Sequence, residues 1–473
     1  MPARPVLTRL DRLDRVRLRL LAAASGALVV LLALALLGPN RSTPDTSSPV
    51  DLRAKSTNPV TPGNFTGYGF DQCLAPSQKA MDAWLENSPF LAVGIYISGN
   101  SRACRNQPNL TPTWVSTQLA KGWRLLPITL GPQSSCVGRY PRYGAKIDPT
   151  ISNVSTDSYA AARAQAKAEV DKAVAAAGAL GIVPGSTLWY DLEGWSNVNN
   201  ATCRESALAF LSTWTKRIRN RGYVSGVYSS AGSGMKILDD ARHAGRADVI
   251  IPDHIWVARW DGAANTSTSY LRTDGWMPGR RMKQYQGGHN ETWGGVTINI
   301  DRNYLDLGSY YPAAETHCGN VPVDLPVYRK IMPRTKTYRP DPTQVRALQC
   351  LLREQNAYPG NLTGTFNTRT RAAALAWQQR SGLGTSTSWR KKDWMNLLTA
   401  GARPVLKVGS RGADVRRVQR ALRIAIPSAN VAVNGIYDAP MANAVTAYRK
   451  QVGLPAYGIV QGTTWAYLAG ARR

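Results

Sequence analysis

Short apolar runs recur through the first two thirds of the chain, at 68–71, 90–97, 123–130, 186–193, 223–229, 254–260, 281–286 and 298–304. Each has the length of a strand. Several are apolar without a break, the pattern of strands buried on both faces. Helix-forming stretches separate the early runs. The clearest is 158–179, where Ala, Lys, Gln and Glu dominate ahead of Gly181 and Pro184; another lies at 204–220. Eight strands with intervening helices predict a parallel (β/α) barrel of the TIM type over residues 66–312. The connections after the sixth and seventh strands are short and Gly-rich, so the end of the barrel is expected to have reduced helices.

Beyond the barrel the pattern changes twice. Residues 313–337, rich in Pro, Lys and Arg, read as a linker. The remainder is duplicated: 345–352 matches 415–422, the segment opened by Gly364-Thr365-Phe366 matches the one opened by Gly435-Ile436-Tyr437, and Trp394 parallels Trp465. Residues 338–400 and 401–473 are therefore expected to be two small α-helical modules, too few for a solenoid.

The N-terminus bears on compartment. Residues 1–19 carry six arginines against Asp11 and Asp14, and residues 20–37 follow without a charge. That run is nearer the length of a membrane anchor than of a signal-peptide core, although Ala33-Leu34-Ala35 would serve as a cleavage site. The basic flank should stay inside. No Arg pair precedes the core, which disfavours a twin-arginine signal. Residues 38–65 read as a polar tether, so everything beyond the apolar run is expected outside the cytoplasm, secreted or membrane-anchored at the wall.

The 473 residues are 43% hydrophobic and 19% charged, a globular composition with a net charge of +28. Nucleic acid, anionic wall polymers and anionic lipid all attract such a chain. No nucleic-acid-binding motif accompanies the charge, so no nucleic-acid partner is expected. Six cysteines without a Cys-x-x-Cys pair fit disulfides outside the cytoplasm, in any of 15 pairings; the alternative is buried thiols. Four histidines at no metal-ligand spacing, no nucleophile elbow and no dinucleotide fingerprint imply no metal and no cofactor.

The strongest site signal is Trp189-Tyr190-Asp191-Leu192-Glu193-Gly194-Trp195, at the C-terminal end of a predicted strand. Positions i and i+2 of a strand face the same way, so Asp191 and Glu193 would both point into the barrel mouth, where the active sites of such barrels lie. Asp71, after the first strand, and Asp301, in the last, would join them across the closure. Crowded carboxylates raise one another's pKa, which keeps a protonated acid beside an ionised partner, the pair that glycoside hydrolysis uses. Tyr190, Trp195, Trp256, Trp260 and Tyr285 lie on or just after strand ends and are candidates for sugar stacking, in a chain with 14 Trp against 5 Phe. Gln284 would hydrogen-bond a sugar, and Arg259 would pair with a pocket acid.

Gly69-Phe70-Asp71, Tyr190-Asp191-Leu192-Glu193, Gly226-Val227-Tyr228, Ile255-Trp256-Val257-Ala258, Lys283-Gln284-Tyr285 and Ile300-Asp301-Arg302-Asn303 occur in the order found in family 25 glycoside hydrolases, the lysozyme-type muramidases, which they resemble. The segment 69–76 resembles more closely the glycoside-hydrolase-like domain of the Rv2525c-like group. Both C-terminal repeats resemble type 1 peptidoglycan-binding domains, the second through 409–415 and Gly435-Ile436-Tyr437-Asp438. The resemblance implies a hydrolase of peptidoglycan or another envelope glycan; the chain is expected to be a monomer and to meet the membrane through its N-terminal segment. Glu193 would be its general acid, Asp191 would orient substrate or stabilise positive charge, and Asp71 and Asp301 would shape the pocket. It equally allows a catalytically silent wall-binding protein on the same fold.

Overall fold

A computed structural model describes residues 57–308 and 311–473. The basic segment, the apolar run and most of the expected tether lie outside the described residues. Among the described residues no helix is long and apolar enough to cross a membrane.

Eight strands close a barrel in chain order: β1 (Thr66–Asp71), β2 (Ala92–Ser98), β3 (Arg124–Thr129), β4 (Thr187–Leu192), β5 (Val224–Ser230), β6 (His254–Ala258), β7 (Arg281–Trp293) and β8 (Val296–Asp306). Helices α1 (Gln78–Asn87), α2 (Pro112–Ala120), α3 (Thr156–Ala179), α4 (Ala201–Asn220) and α5 (Lys236–His243) follow the first five strands. Side-chain alternation divides the residues cleanly. Leu126, Ile128, Trp189, Trp256, Met282 and Leu305 fill the interior. Val93, Ile95, Leu188, Tyr190, Leu192, Val227 and Ile255 pack outward with the helices. This is the period of two that makes a small barrel a packed core rather than a pore.

The closure departs from the all-parallel expectation. β8 runs antiparallel to both β7 and β1. Trp293 and Val296 are joined by Gly294-Gly295, both at positive φ (57° and 76°). A two-residue turn of that kind forces a hairpin and leaves no chain for a crossover helix.

Two segments expected to be linkers are packed structure. Ahead of β1, Thr61 is buried and its hydroxyl donates to the Leu125 carbonyl, while Phe65 plugs the interior cluster. In 313–337, Val323, Leu325, Tyr328 and Ile331 are buried in the C-terminal core, and Ile331 pairs its backbone with Trp389. The polar and Pro residues around them hide a set of core positions spaced two and three apart.

The C-terminal helices are α6 (Pro342–Glu354), α7 (Thr368–Ser381), α8 (Lys391–Leu398), α9 (Ala413–Ala425), α10 (Ala439–Gln451) and α11 (Gly462–Ala469). The duplication has a physical counterpart. Gln349 accepts from the Gly364 amide and donates to the Thr365 carbonyl; Gln419 accepts from the Gly435 amide and donates to the Ile436 carbonyl. Each buried amide clamps the loop that enters the next helix. The two repeats share one hydrophobic cluster that includes Trp394, Leu398, Val415, Leu422 and Trp465. The second repeat is keyed to the barrel by Lys407. Its buried ammonium donates to the carbonyls of Leu85, Ser88 (2.6 Å) and Phe90 (3.2 Å) at the end of α1, and burial pushes its pKa down to about 7.

The disulfides are Cys73–Cys104, Cys136–Cys203 and Cys318–Cys350. The first two brace loops at the C-terminal end of the barrel. The third ties 313–337 to α6.

Candidate active site

Alternation brings four carboxylates to the C-terminal mouth. Asp71 ends β1 and lies directly opposite Asp301 of β8. Asp191, on β4, shares the inward phase of Trp189, and Glu193 follows just past the strand. Burial grades them. Asp71 is 4% exposed and Asp191 2%, whereas the Glu193 side chain is 25% exposed.

The buried acids are held by a polar lattice. Asp71 accepts from Asn303 Nδ2 (2.6 Å) and Gln284 Nε2 (3.1 Å). Asn303 in turn accepts from Trp256 Nε1 (2.8 Å), and Gln284 accepts from the Tyr228 hydroxyl (3.0 Å) and Trp260 Nε1 (2.9 Å). Asp191 accepts from the Tyr96 hydroxyl (3.3 Å), and its other oxygen has no hydrogen-bond partner among the described residues. Gln133 donates to the Asp191 carbonyl and accepts from the Glu193 amide, both at 2.7 Å, fixing the turn that carries the two acids.

The electrostatics follow from this burial. Desolvation, then the nearby Asp301 charge, raises Asp71 well above the usual carboxylate range. Desolvation, then Glu193 and Asp71, does the same to Asp191. Burial raises Asp301 to about 6. Asp71 and Asp301 face each other across the closure of β1 on β8, so a charge on Asp301 opposes ionisation of Asp71.

Two cavities open on this floor. One, of about 290 Å³, is lined by Asp71, Asp301, Tyr96, Arg102, Arg142 and Glu193. The other, of about 460 Å³, is lined by Glu193, Arg139, Tyr228, Arg259, Trp260 and Tyr270. Glu193 lines both. Arg139, 56% exposed on the loop after β3, pairs with it at 2.6 Å.

The expected site residues divide. Asp71, Asp191, Glu193, Asp301, Gln284 and Trp260 are at the mouth. Trp260 is 65% exposed and its indole lies against Gly287, where a Cβ would stand 2.6 Å from the ring. Tyr190 is not in the site. It points outward, packs on Phe210 and Trp214, and donates to the Pro132 carbonyl, because it has the opposite strand phase to Asp191. Tyr285 is buried on the outer face for the same reason relative to Gln284. Trp195 is buried in the helix-facing core. Trp256 faces inward but lies a layer below the mouth, stacked edge-on against Trp189. Arg259 pairs with no acid among the described residues; it lies over the Tyr270 ring, and Arg139 takes the acid instead. Tyr96, Tyr228, Gln133, Asn303 and Arg139 were not among the candidates. The inward phase of β2, β5 and β8 marks Tyr96, Tyr228 and Asn303; nothing local marks Gln133 or Arg139. As to metals, Cys318, Cys350 and Glu354 cluster among the described residues, but the two sulfurs are bonded to each other, which removes them as ligands.

An acid whose folded pKa exceeds its unfolded value costs stability once the pH passes the unfolded value. Asp301 is therefore expected to destabilise the chain progressively from about pH 4 to 6, and Asp71 and Asp191 to extend the loss upward. Asp301→Asn should raise stability at pH 7.5 by about 2–3 kcal/mol and leave it unchanged at pH 3.5. Denaturant unfolding at the two pH values checks this; an equal effect at both would count against a titrating origin.

Residues 82–305 match the Rv2525c-like, glycoside hydrolase-like domain, and residues 411–468 match the peptidoglycan binding domain. The first match falls on the barrel, from α1 to β8, and the second on the second repeat. No curated protein matches the chain. An uncharacterized B. stearothermophilus protein aligns over 50% of this chain and 95% of its own, at 16% identity and a TM-score of 0.34. Rv2525c of Mycobacterium tuberculosis aligns over 51% and 95%, at 13% and 0.33. The modular autolysin LytC of Streptococcus pneumoniae aligns over 50% and 46%, at 11% and 0.30.

Proposed function

We propose that the chain is an extracytoplasmic cell-wall glycoside hydrolase that cleaves peptidoglycan glycan strands in the manner of a muramidase. One observation carries this reading: Glu193 is the accessible carboxylate at the junction of two cavities, backed by the buried Asp71 and Asp191 and the half-buried Asp301. A glycan threaded through both cavities would present a glycosidic oxygen to Glu193. Glu193 then donates a proton to the departing oxygen. Asp191 orients the sugar or stabilises its developing positive charge, Asp71 and Asp301 tune the floor, and Gln284 and Trp260 hold the ring. Arg139 sits on an exposed loop and swings off Glu193 as the glycan enters. The barrel (66–312) does the chemistry, and the two repeats (338–400 and 401–473) hold the wall.

A second reading has its own observation. The Arg139–Glu193 pair occupies the acid, as in a barrel that binds the wall without turnover. Incubating the chain with purified peptidoglycan and assaying new reducing ends separates the two. Cleavage with muramic acid at the new ends supports the first. Sedimentation with the wall and no product supports the second. Cleavage confined to another envelope polysaccharide would move the substrate.

A further inference from the structure

Arginines on the outer helices of the barrel, and one just past α5, are matched to carboxylates: Arg217 to Asp171, Arg219 to Asp253, Arg242 to Asp239 and Asp274, Arg246 to Asp248. Two that line the smaller cavity are not. Arg102 is half-buried and spends two donors on backbone, Nε on the Gly99 carbonyl (2.8 Å) and Nη1 on the Tyr96 carbonyl (2.9 Å). Arg142 donates to the Tyr140 hydroxyl (3.0 Å) and lies 5.1 Å from that ring. Neither pairs with a carboxylate among the described residues. Both are pre-positioned: the loop of Arg102 is fastened by Cys73–Cys104, and the Arg142 amide is held by Asp148 at 2.6 Å.

A guanidinium with spare donors and no counter-charge in a cavity is a recognition group for planar anions. The acidic floor does not cancel it. Burial opposes the charged form of Asp71 and Asp191, Arg139 pairs with Glu193, and Asp301, at about 6, is the facing acid that is ionised at neutral pH. The cavity thus sets two guanidiniums without a carboxylate partner, Arg102 and Arg142, against the one Asp301 carboxylate.

We infer that the smaller cavity selects a sugar bearing a carboxylate, read by Arg102 and Arg142, over a neutral sugar of the same ring. The inference rests on the mouth being a glycan site and adds the charge of the substrate and the residues that read it.

The test is binding to the full chain, by calorimetry, of three soluble probes: an oligosaccharide of alternating N-acetylglucosamine and N-acetylmuramic acid, the same compound with its carboxyl groups reduced to alcohols, and a uronic-acid oligosaccharide. The expected result is that the first binds about 10- to 100-fold more tightly than the second, the worth of one or two charge-assisted hydrogen bonds. Arg142→Gln should remove most of that difference and leave the reduced probe unaffected. Because Arg142 is exposed, this variant keeps the fold, and Arg102→Gln serves as the second arm. Uronic-acid binding lost in both variants places the recognised carboxylate on the ring; its absence places it on the ether side chain. Equal affinity of the acidic and reduced probes, or a preference that survives both substitutions, overturns the inference. Reducing-end release from the first probe, assayed in parallel, tests the glycosidase reading separately, since charge selection in binding does not require turnover.

Discussion

Glu193→Gln is expected to lower reducing-end release from peptidoglycan by about 10²- to 10⁴-fold, the contribution of a general acid. Glutamine keeps the size and hydrogen-bonding reach of the side chain but has no proton to give. It also loses the ion pair with Arg139, which is exposed enough to find water. Surface ion pairs contribute about 0–1 kcal/mol, so the thermal midpoint should scarcely move. Wall sedimentation should persist, because the second repeat lies on separate elements from the mouth. The measurement is a rate on purified glycan strands, with unfolding and sedimentation as controls. If wild type and variant release equal amounts above background, the proton comes from another acid; Asp191, inward-facing and raised in pKa by burial, is then the residue to replace.

Replacing Cys136 and Cys203 together by serine is expected to cost about 4 kcal/mol, from the entropy of a loop closed across a separation of 67 residues. The bond joins the first turn of α4 to the loop after β3. That loop carries Gln133, which fixes the Asp191–Glu193 turn, and both Arg139 and Arg142. The variant should therefore lose activity or glycan affinity at temperatures where the barrel is still folded. Thermal unfolding without reductant, set beside activity against temperature, checks both. A loss under about 1 kcal/mol would mean that packing alone holds the loop.

The eight strand positions were legible because buried strands appear as short apolar runs, and the helix at 158–179 because Ala, Lys, Gln and Glu dominate it ahead of Gly181 and Pro184. The direction of β8 was legible too, in Gly294-Gly295 between Trp293 and Val296, but eight regular runs argued more loudly for a parallel barrel. At the site, phase was the reliable signal. It put Asp191 and Glu193 together, and applied strictly it also excludes Tyr190 and Tyr285, whose neighbours Asp191 and Gln284 face inward. Aromatic character near a strand end was the weaker guide. Trp256 shows its limit: phase gives the side of a strand and not the depth, and Trp256 lies below the mouth, reaching Asp71 only through Asn303. Trp195 lies past the strand, where the period no longer applies.

Alone, then, the sequence determined a barrel, its two helical repeats and the inward-facing acids, because each is encoded by spacing within one element. The tertiary structure decided which cation meets Glu193, which amides and hydroxyls hold the buried acids, and how the second repeat is keyed to α1 by Lys407. Those contacts join residues from 54 to more than 300 positions apart. They depend on loop paths and on the closure of the sheet, and no local period records either.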